Sequence, residues 1–268
     1  MTSAKPDRRA TTDQAARRKE IASIVLRRGE VSIDDLSELS GVSVMTIYRD
    51  IAVLEKAGVL YRNRGKVVAA ASGLHEATAR YRMTQESAEK QAMARAVAPM
   101  IAPGSSVLMD DSTSAVWVLR QLMDMSPLSV VTNSLLVASE LQGKSKHSLM
   151  MLGGEYQSWA EATMGPVTIA NLENLHADVC LISASGVRGN TVYHPYADVA
   201  AVKKKMMQVA ERTILILDHT KFTRRALHAF GTYADADIVV VDSQTPRAVI
   251  ERIEEANVRV HVAQVELD

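Results

Sequence analysis

The strongest constraint on the fold lies in seven short apolar runs spaced along residues 86–268: "SVLMD", "LSVVTN", "SLMMLGG", "DVCLISASG", "TILILD", "DIVVVD" and "RVHVAQ". Helical segments over 113–123, 134–141, 198–210 and 246–256 separate them. An apolar run without polar alternation is a strand buried on both faces, and strand–helix alternation joins such strands in parallel. The expectation is a mostly parallel α/β domain over 86–268 with helices on both faces. Aromatic residues make up only 4% of the chain, so its core must be built from Ala, Val, Leu, Ile and Met, with Met150, Met151, Met206 and Met207 as filler.

Residues 12–70 follow a different plan. A helix over 12–28 carries Ile21, Ile24 and Val25 on one face and closes at Gly29. Ser32 opens a second helix in a Ser-x-x-Asp pattern with Asp35, and Ile33, Leu36 and Leu39 form its apolar stripe. Gly41 turns the chain, and Ser43 caps a third helix that stops at Gly58. Val44, Ile47, Ile51 and Leu54 recur at helical spacing on its inner face. Its outer face presents Met45, Arg49 and Lys56, flanked by Thr46 and Tyr48. "VLYRN" and "KVVAA", joined through Asn63-Arg64-Gly65-Lys66, read as a basic hairpin. Residues 71–85 lack apolar periodicity and read as a linker.

The chain has no net charge, yet its two parts do: residues 1–70 hold 13 Lys and Arg against 9 Asp and Glu, and the remainder carries the acidic excess. An anionic polymer would therefore meet the N-terminal part. Helix, helix, turn, helix and hairpin is the winged helix-turn-helix plan, whose third helix enters the DNA major groove. On that plan Ser43, Thr46 and Tyr48 reach phosphates, Met45 lies on the same face, and Arg49 bonds a phosphate or a guanine edge. Arg62, Arg64 and Lys66 add wing contacts that strengthen at low salt. The competing plain reading is a helical bundle with a polar outer face.

The stretch "GEVSIDDLSELSGVSVMTIYRDIAVLEKAGVLYRNRG" resembles the DNA-binding domain of the DeoR family of bacterial transcription regulators. Val42 to Ile51 matches the family's Val-Ser-x-x-Thr-Ile-Arg-Arg-Asp-Leu, with Tyr48 in place of the first arginine and Arg49 and Asp50 retained. The wing has "NRGKVVAA" where the family usually ends in His-Gly-Gly-Ala. Both departures fall where an operator is read, so relatives' operator preference does not carry over.

Three loops of the second part stand out from their residues alone. Ser112, Thr113 and Ser114 lie between a strand and a helix, where free amides and the helix dipole bind anions such as phosphate; plain capping is the alternative. Thr132, Asn133 and Ser134 repeat the arrangement, and Asp218 with Lys221 follows another strand. Polar strand ends on one parallel sheet are where such sheets bind ligands. The same loops resemble the effector domain of the DeoR family. Its Asp-x-Gly-Thr-Thr corresponds to Asp110–Ser114, its Thr-Asn-Ser to Thr132–Ser134, its Gly-Gly to Gly153-Gly154, its later glycine to Gly165, its Ser-Gly to Ser185-Gly186, and its Asp-x-x-Lys-Phe to Asp218–Phe222. Val202-Lys203 is kept, while Ser112 replaces a glycine and Val199 a glutamate. The resemblance implies a fold similar to sugar-phosphate isomerases and a phosphorylated sugar as effector. Asp110, Gly153, Gly154 and Lys203 then join the site, with Lys203 or Lys221 supplying the charge that balances a phosphate.

Other chemistries lack a signature. Seven histidines show no metal-ligand spacing, "QGKS" at 142–145 has Ala138 where a nucleotide loop needs glycine, and no cofactor motif is present, so neither metal nor cofactor is expected. The single cysteine, Cys180, cannot form an internal disulfide, and the absence of a membrane-length apolar run or secretion signal leads us to expect a cytoplasmic protein. The expected function is a DNA-binding regulator, a repressor of a carbohydrate-use operon and a homo-oligomer, with double-stranded operator DNA and a small phosphorylated sugar as partners. An isomerase-like enzyme fused to a DNA-binding domain, and a DNA-binding architectural protein, remain as alternatives.

Overall fold

The computed structural model describes residues 8–70, 75–125, 127–143 and 146–266, in two compact units that meet in sequence between Thr78 and Ala79. Residues 71–74 of the expected linker and 144–145 of "QGKS" lie outside the described residues.

The first unit contains α1 (Arg8–Arg28), β1 (Glu30–Ser32), α2 (Ile33–Ser40), α3 (Val44–Lys56), β2 (Leu60–Asn63) and β3 (Lys66–Ala69). Ile21, Val25, Leu36, Ile47, Ile51, Leu54 and Val67 are buried in its core. Ser32 Oγ accepts the Asp35 amide at 3.0 Å and Ser43 Oγ the Thr46 amide at 3.3 Å, so both helices are capped as their sequences anticipate. Arg64 and Gly65, with φ of 47° and 79°, form the two-residue turn that matches the twist of a hairpin. β1 pairs antiparallel with β3, giving a three-stranded sheet where the sequence suggests two strands; three residues are too few to leave an alternation.

Two apolar positions differ from expectation. Leu39 and Val44 are 45% and 39% exposed. Side chains on a helix lean towards its N-terminus, so Val44, the first residue of α3, overhangs the core; Leu39 lies in the last turn of α2, where Gly41 turns the chain. The inner face of α3 instead buries Asp50, which accepts Arg17 Nε at 2.6 Å and Arg18 Nε at 2.7 Å from α1.

The second unit runs α4 (Ala79–Thr84), α5 (Ser87–Val97), β4 (Ser106–Met109), α6 (Thr113–Leu122), β5 (Ser129–Thr132), α7 (Leu135–Leu141), β6 (Ser148–Met151), β7 (Glu155–Gln157), β8 (Ala162–Met164), α8 (Pro166–Leu172), β9 (Ala177–Ile182), β10 (Gly186–Arg188), β11 (Thr191–His194), α9 (Ala197–Gln208), β12 (Ala210–Leu217), β13 (His228–Thr232), β14 (Ile238–Asp242), α10 (Arg247–Glu255) and β15 (Arg259–Ala263). All seven apolar runs become strands of one parallel sheet, ordered β15-β14-β12-β9-β4-β5-β6. Successive residues feed opposite cores: Val107, Met109, Leu181, Ile214 and Ile216 pack on one face, Leu108, Cys180, Ile182, Leu215 and Leu217 on the other. That double burial is why the strands read as continuous apolar runs.

β6 is the exception. It is an edge strand, and Leu149, Met150 and Met151 are exposed, which overturns the reading of Met150 and Met151 as core filler; Met206 is fully buried as expected. The hairpin β7–β8 and the antiparallel sheet β10-β11-β13 are further elements without a sequence signal, again because their strands span only three to five residues.

The strand order also contains a reversal. From β4 the chain moves outward through β5 to β6, returns to β9 beside β4, and then moves the other way through β12, β14 and β15. The reversal falls between β4 and β9, the kind of topological switch point at whose carboxyl ends open α/β sheets bind ligands.

Candidate functional site

The outer face of α3 carries Met45, Tyr48 and Arg49, all exposed, with Thr46 half-buried. Ser43 and Thr46 share a 3.0 Å hydroxyl contact, so Ser43 is engaged in capping before any phosphate approaches. On the wing, Arg62 pairs with Glu55 at 2.8 Å and Lys66 with Glu30 at 2.5 Å. Exposed pairs of this kind are worth little. Arg49 and Arg64 are in no salt bridge among the described residues, which leaves both guanidinium groups available.

In the second unit a buried ionic trio fills the switch point. Asp110, at the end of β4, accepts the Ser112 amide on Oδ1 at 2.9 Å. Its Oδ2 accepts the Ser183 amide at 2.9 Å, from the end of β9, and the Lys203 ammonium from α9. Lys203 Nζ also lies 3.1 Å from Asp111 Oδ1, and none of the three side chains is more than 3% exposed. Burial disfavours every charge here, but the pairing wins. Lys203, Asp111's ammonium partner, together with His194 and Arg82, holds the Asp111 carboxyl below its ordinary range against the burial that would raise it. Burial likewise works to lower Lys203, yet Asp110 and Asp111 keep its ammonium above its ordinary value. Two carboxylates therefore already balance Lys203, so it brings no spare positive charge to an anion.

The hydroxyls of the strand-end loops act chiefly as caps. Ser112 Oγ accepts the Ala115 amide at 3.2 Å, and Ser134 Oγ the Val137 amide at 3.4 Å. Thr132 Oγ1 donates to Met109 O at 2.8 Å and accepts the Ser134 amide at 3.0 Å. The amides of Thr113 and Ser114, in the first turn of α6, have no carbonyl within the helix to bind. Asn133 donates from Nδ2 to Thr163 O at 2.8 Å, while its buried Oδ1 has no partner.

Gly153 and Gly154 belong to a packing joint. The Gly153 amide donates to Asn171 Oδ1 at 2.9 Å and its carbonyl accepts Thr168 Oγ1 at 2.7 Å. A Cβ on Gly154 would lie 2.0 Å from Thr168 Oγ1 and 2.7 Å from Met164 O.

Past the end of β12, Asp218 accepts the Thr220 amide on Oδ1 at 3.1 Å, and Lys221 Nζ lies 3.5 Å from its Oδ2. Burial would raise the Asp218 carboxyl, but Lys221, the Thr220 hydroxyl and Lys90 outweigh it and hold it low. Lys90, absent from any sequence motif used above, is 4% exposed, and its ammonium donates to Arg82 O at 2.5 Å and Gln85 O at 2.7 Å. Burial, and then the charge of Lys221, pushes it down to about 7. Arg82 acts electrostatically on both Lys90 and Asp111, and its guanidinium stands 6.0 Å from the Trp159 ring centre. Trp159 packs on Tyr196 with ring centres 4.8 Å apart, and His194 completes the aromatic group.

Thus Asp110 and Lys203 meet directly, as do Asp218 and Lys221, and Gly153 and Gly154 follow Leu152, whose amide donates to Thr132 O at 2.8 Å in the neighbouring loop. Arg82, Lys90, Trp159 and Tyr196 escaped the sequence reading. One signal for Lys90 was available: with Met93, Ala94 and Val97 it occupies positions i, i+3, i+4 and i+7, a lysine on the buried stripe of α5.

Among the described residues no helix is long and apolar enough to cross a membrane, and no group of three or more His, Cys, Asp or Glu is placed to hold a metal ion.

Comparison with known proteins divides the chain in the same sense. The profile of the DeoR-like helix-turn-helix domain matches residues 17–72, and that of the DeoR C terminal sensor domain residues 85–243. The chain is 31% identical to the transcriptional repressor AccR of Agrobacterium fabrum, over 89% of this chain and 93% of that protein. It is 28% identical to the glycerol-3-phosphate regulon repressor of Escherichia coli, over 93% and 99%. It is also 28% identical to the HTH-type transcriptional repressor CsqR of Escherichia coli, over 92% and 95%. Among solved structures, ribose 5-phosphate isomerase A of Methanocaldococcus jannaschii matches at a TM-score of 0.38 and 12% identity, over 52% of this chain and 55% of that one.

Proposed function

The chain belongs to the DeoR family of transcription regulators, and from that premise we propose that it is a repressor whose hold on operator DNA is set by a phosphorylated sugar or a related small anion. The DNA-reading residues on this reading are Ser43, Met45, Thr46, Tyr48 and Arg49 of α3 and Arg62, Arg64 and Lys66 of the wing. The effector lies over the carboxyl ends of β4, β5, β9 and β12, near Thr113, Ser114, Asn133 and Lys221. Asp110, Ser112, Thr132, Lys203 and Asp218 shape that seat. The observation that carries this reading is the buried Asp110–Lys203–Asp111 trio at the topological switch point, with Arg82 acting on Asp111 and with Lys221 on Asp218 at the end of β12, the strand beside β9. The glycerol-3-phosphate regulon repressor among its relatives supports a phosphate ester as ligand class. Reading a two-fold operator requires at least a homodimer, and a regulator of DNA with one unpaired thiol, Cys180, suits the cytoplasm. Binding is favoured over turnover because both oxygens of Asp110 are spent on amides and on Lys203, which leaves it no role as a base.

DNA reading is tested with an operator selected by the full chain from a random-sequence pool. Arg49→Ala should weaken operator binding by about 1–3 kcal/mol if Arg49 makes a bidentate base contact. Arg64→Ala should weaken all sequences alike and lower the slope of affinity against salt by about one ion. Parent-like binding of operator and random DNA by both variants would refute this placement of α3 and the wing.

The effector class is tested by a melting screen of sugars, polyols and their phosphates. A ligand at a hundredfold excess over its Kd stabilises the native state by about 2.7 kcal/mol. Phosphorylated compounds should raise the Tm of the parent and leave that of Lys221→Met unmoved. Equal stabilisation of both proteins by an uncharged polyol would remove phosphate from the proposal.

A further inference from the structure

Helix α4 has six residues, too few to persist by its own hydrogen bonds, so its position depends on what pins it. Its start is held by the Ala79 amide, which donates to Trp159 O at 2.7 Å, and by Arg80, whose guanidinium grips Glu161 at 2.6 and 2.7 Å. Its end is held from below by Lys90, whose buried ammonium donates to Arg82 O and Gln85 O. A cation at the negative end of a helix is favourable, and a charged donor bonds a carbonyl about twice as strongly as a neutral amine. The grip on α4 therefore tracks the charge of Lys90.

That charge is not secure. The groups acting on Lys90 are Lys221 and Asp218 from the turn after β12, Arg82 from α4 itself, and Glu86 at the head of α5. Burial disfavours the ammonium most, and two of the four groups are cations that add to that effect. A divalent anion seated beside Lys221 would reverse the local sign.

We propose that Lys90 links the effector seat to α4: an anion bound beside Lys221 fixes Lys90 as an ammonium, which locks the carbonyl end of α4. Binding takes up one proton from solvent onto Lys90 Nζ and transfers no other group. α4 follows Thr78 directly in the chain, so it is the first element of the second unit after the helix-turn-helix unit. The inference rests on the reading above that the effector is anionic, and it adds the route by which the anion is felt.

The test uses the full chain and sulfate, a divalent anion that does not titrate near neutral pH, with chloride at matched ionic strength as control. Hydrogen exchange of the α4 amides is followed from about pH 6 to pH 9, corrected for intrinsic rates. In the parent, protection of α4 should fall as pH rises through about 7, where Lys90 loses its proton. An opposite charge nearby raises a titration midpoint by at least about one unit, so at pH 8 sulfate should slow α4 exchange about fivefold. Lys90→Arg, always charged, should give protection that depends on neither pH nor sulfate. Lys90→Met should lose the response to both. The parent profile alone decides the matter if either variant folds poorly. A pH-independent α4 in the parent, or one whose midpoint sulfate leaves in place while raising the Tm through Lys221, would overturn the link and leave the anionic effector standing. Sulfate without effect on the Tm of parent or Lys221→Met would overturn both.

Discussion

Lys203→Met should remove about 3–5 kcal/mol of stability from the second unit at neutral pH, the cost of stranding buried charge. Asp110 and Asp111 would face each other with no cation between them in a site that excludes water. Both tryptophans, Trp117 and Trp159, lie in this unit, so their fluorescence in a denaturant titration of the full chain reports its unfolding alone. The pH dependence carries a sign. In the parent the Asp111 carboxyl is held below its unfolded value, so its contribution is present above that value and fades as pH falls. In the variant the stranded Asp111 carboxylate, left to its burial, is pushed above its unfolded value, so its contribution is complete in acid and is lost as pH rises. The gap between the two proteins should therefore widen from about pH 4 to pH 7. Adding Asp111→Asn to Lys203→Met should recover part of the loss. A variant within about 1 kcal/mol of the parent at neutral pH would mean that the trio is not what holds β4, β9 and α9 together.

Gly154→Ala should cost about 3 kcal/mol or more, through a close approach in a strained backbone conformation. The new Cβ would stand 2.0 Å from Thr168 Oγ1 and 2.7 Å from Met164 O, at a residue whose φ is 146°. Thr168 cannot simply rotate away, because its hydroxyl donates to Gly153 O at 2.7 Å and the side chain is fully buried. Combining Gly154→Ala with Thr168→Ala removes the hydroxyl but not the Met164 carbonyl, so stability should return only in part. The measurement also separates two roles for the glycine pair. If Gly154 were kept free of a side chain to admit a ligand, the alanine variant would melt like the parent and fail only in its response to effector.

The chain's division into two parts and the architecture of each are written in the sequence because both rest on local periodicity. Ile47, Ile51 and Leu54 at helical spacing, Ser43 and Ser32 at caps, and the Arg64-Gly65 turn each depend on residues within a few positions. The same holds for the apolar runs, most of which are buried on both faces, so that polar alternation is erased and a parallel sheet is announced. Among the elements that escaped, the strands β1, β7, β8, β10, β11 and β13 and the helix α4, inside the expected linker, are too short to carry a period. Asp110, Asp218 and Lys221 could be picked out because they stand at strand ends within recognisable loops. What the tertiary structure alone decided is who meets whom across long stretches of chain. Lys203 pairs with Asp110 from 93 positions away and with the adjoining Asp111, so an expected source of positive charge is already taken up by carboxylates. β6 falls at the sheet edge and exposes methionines that elsewhere would be core. Lys90 lies under the carbonyl end of α4 and within electrostatic reach of Lys221. Electrostatic pairing and edge position are properties of neighbours in space, and no window along the chain contains them; periodicity and capping are properties of neighbours in sequence, and there the amino acids speak for themselves.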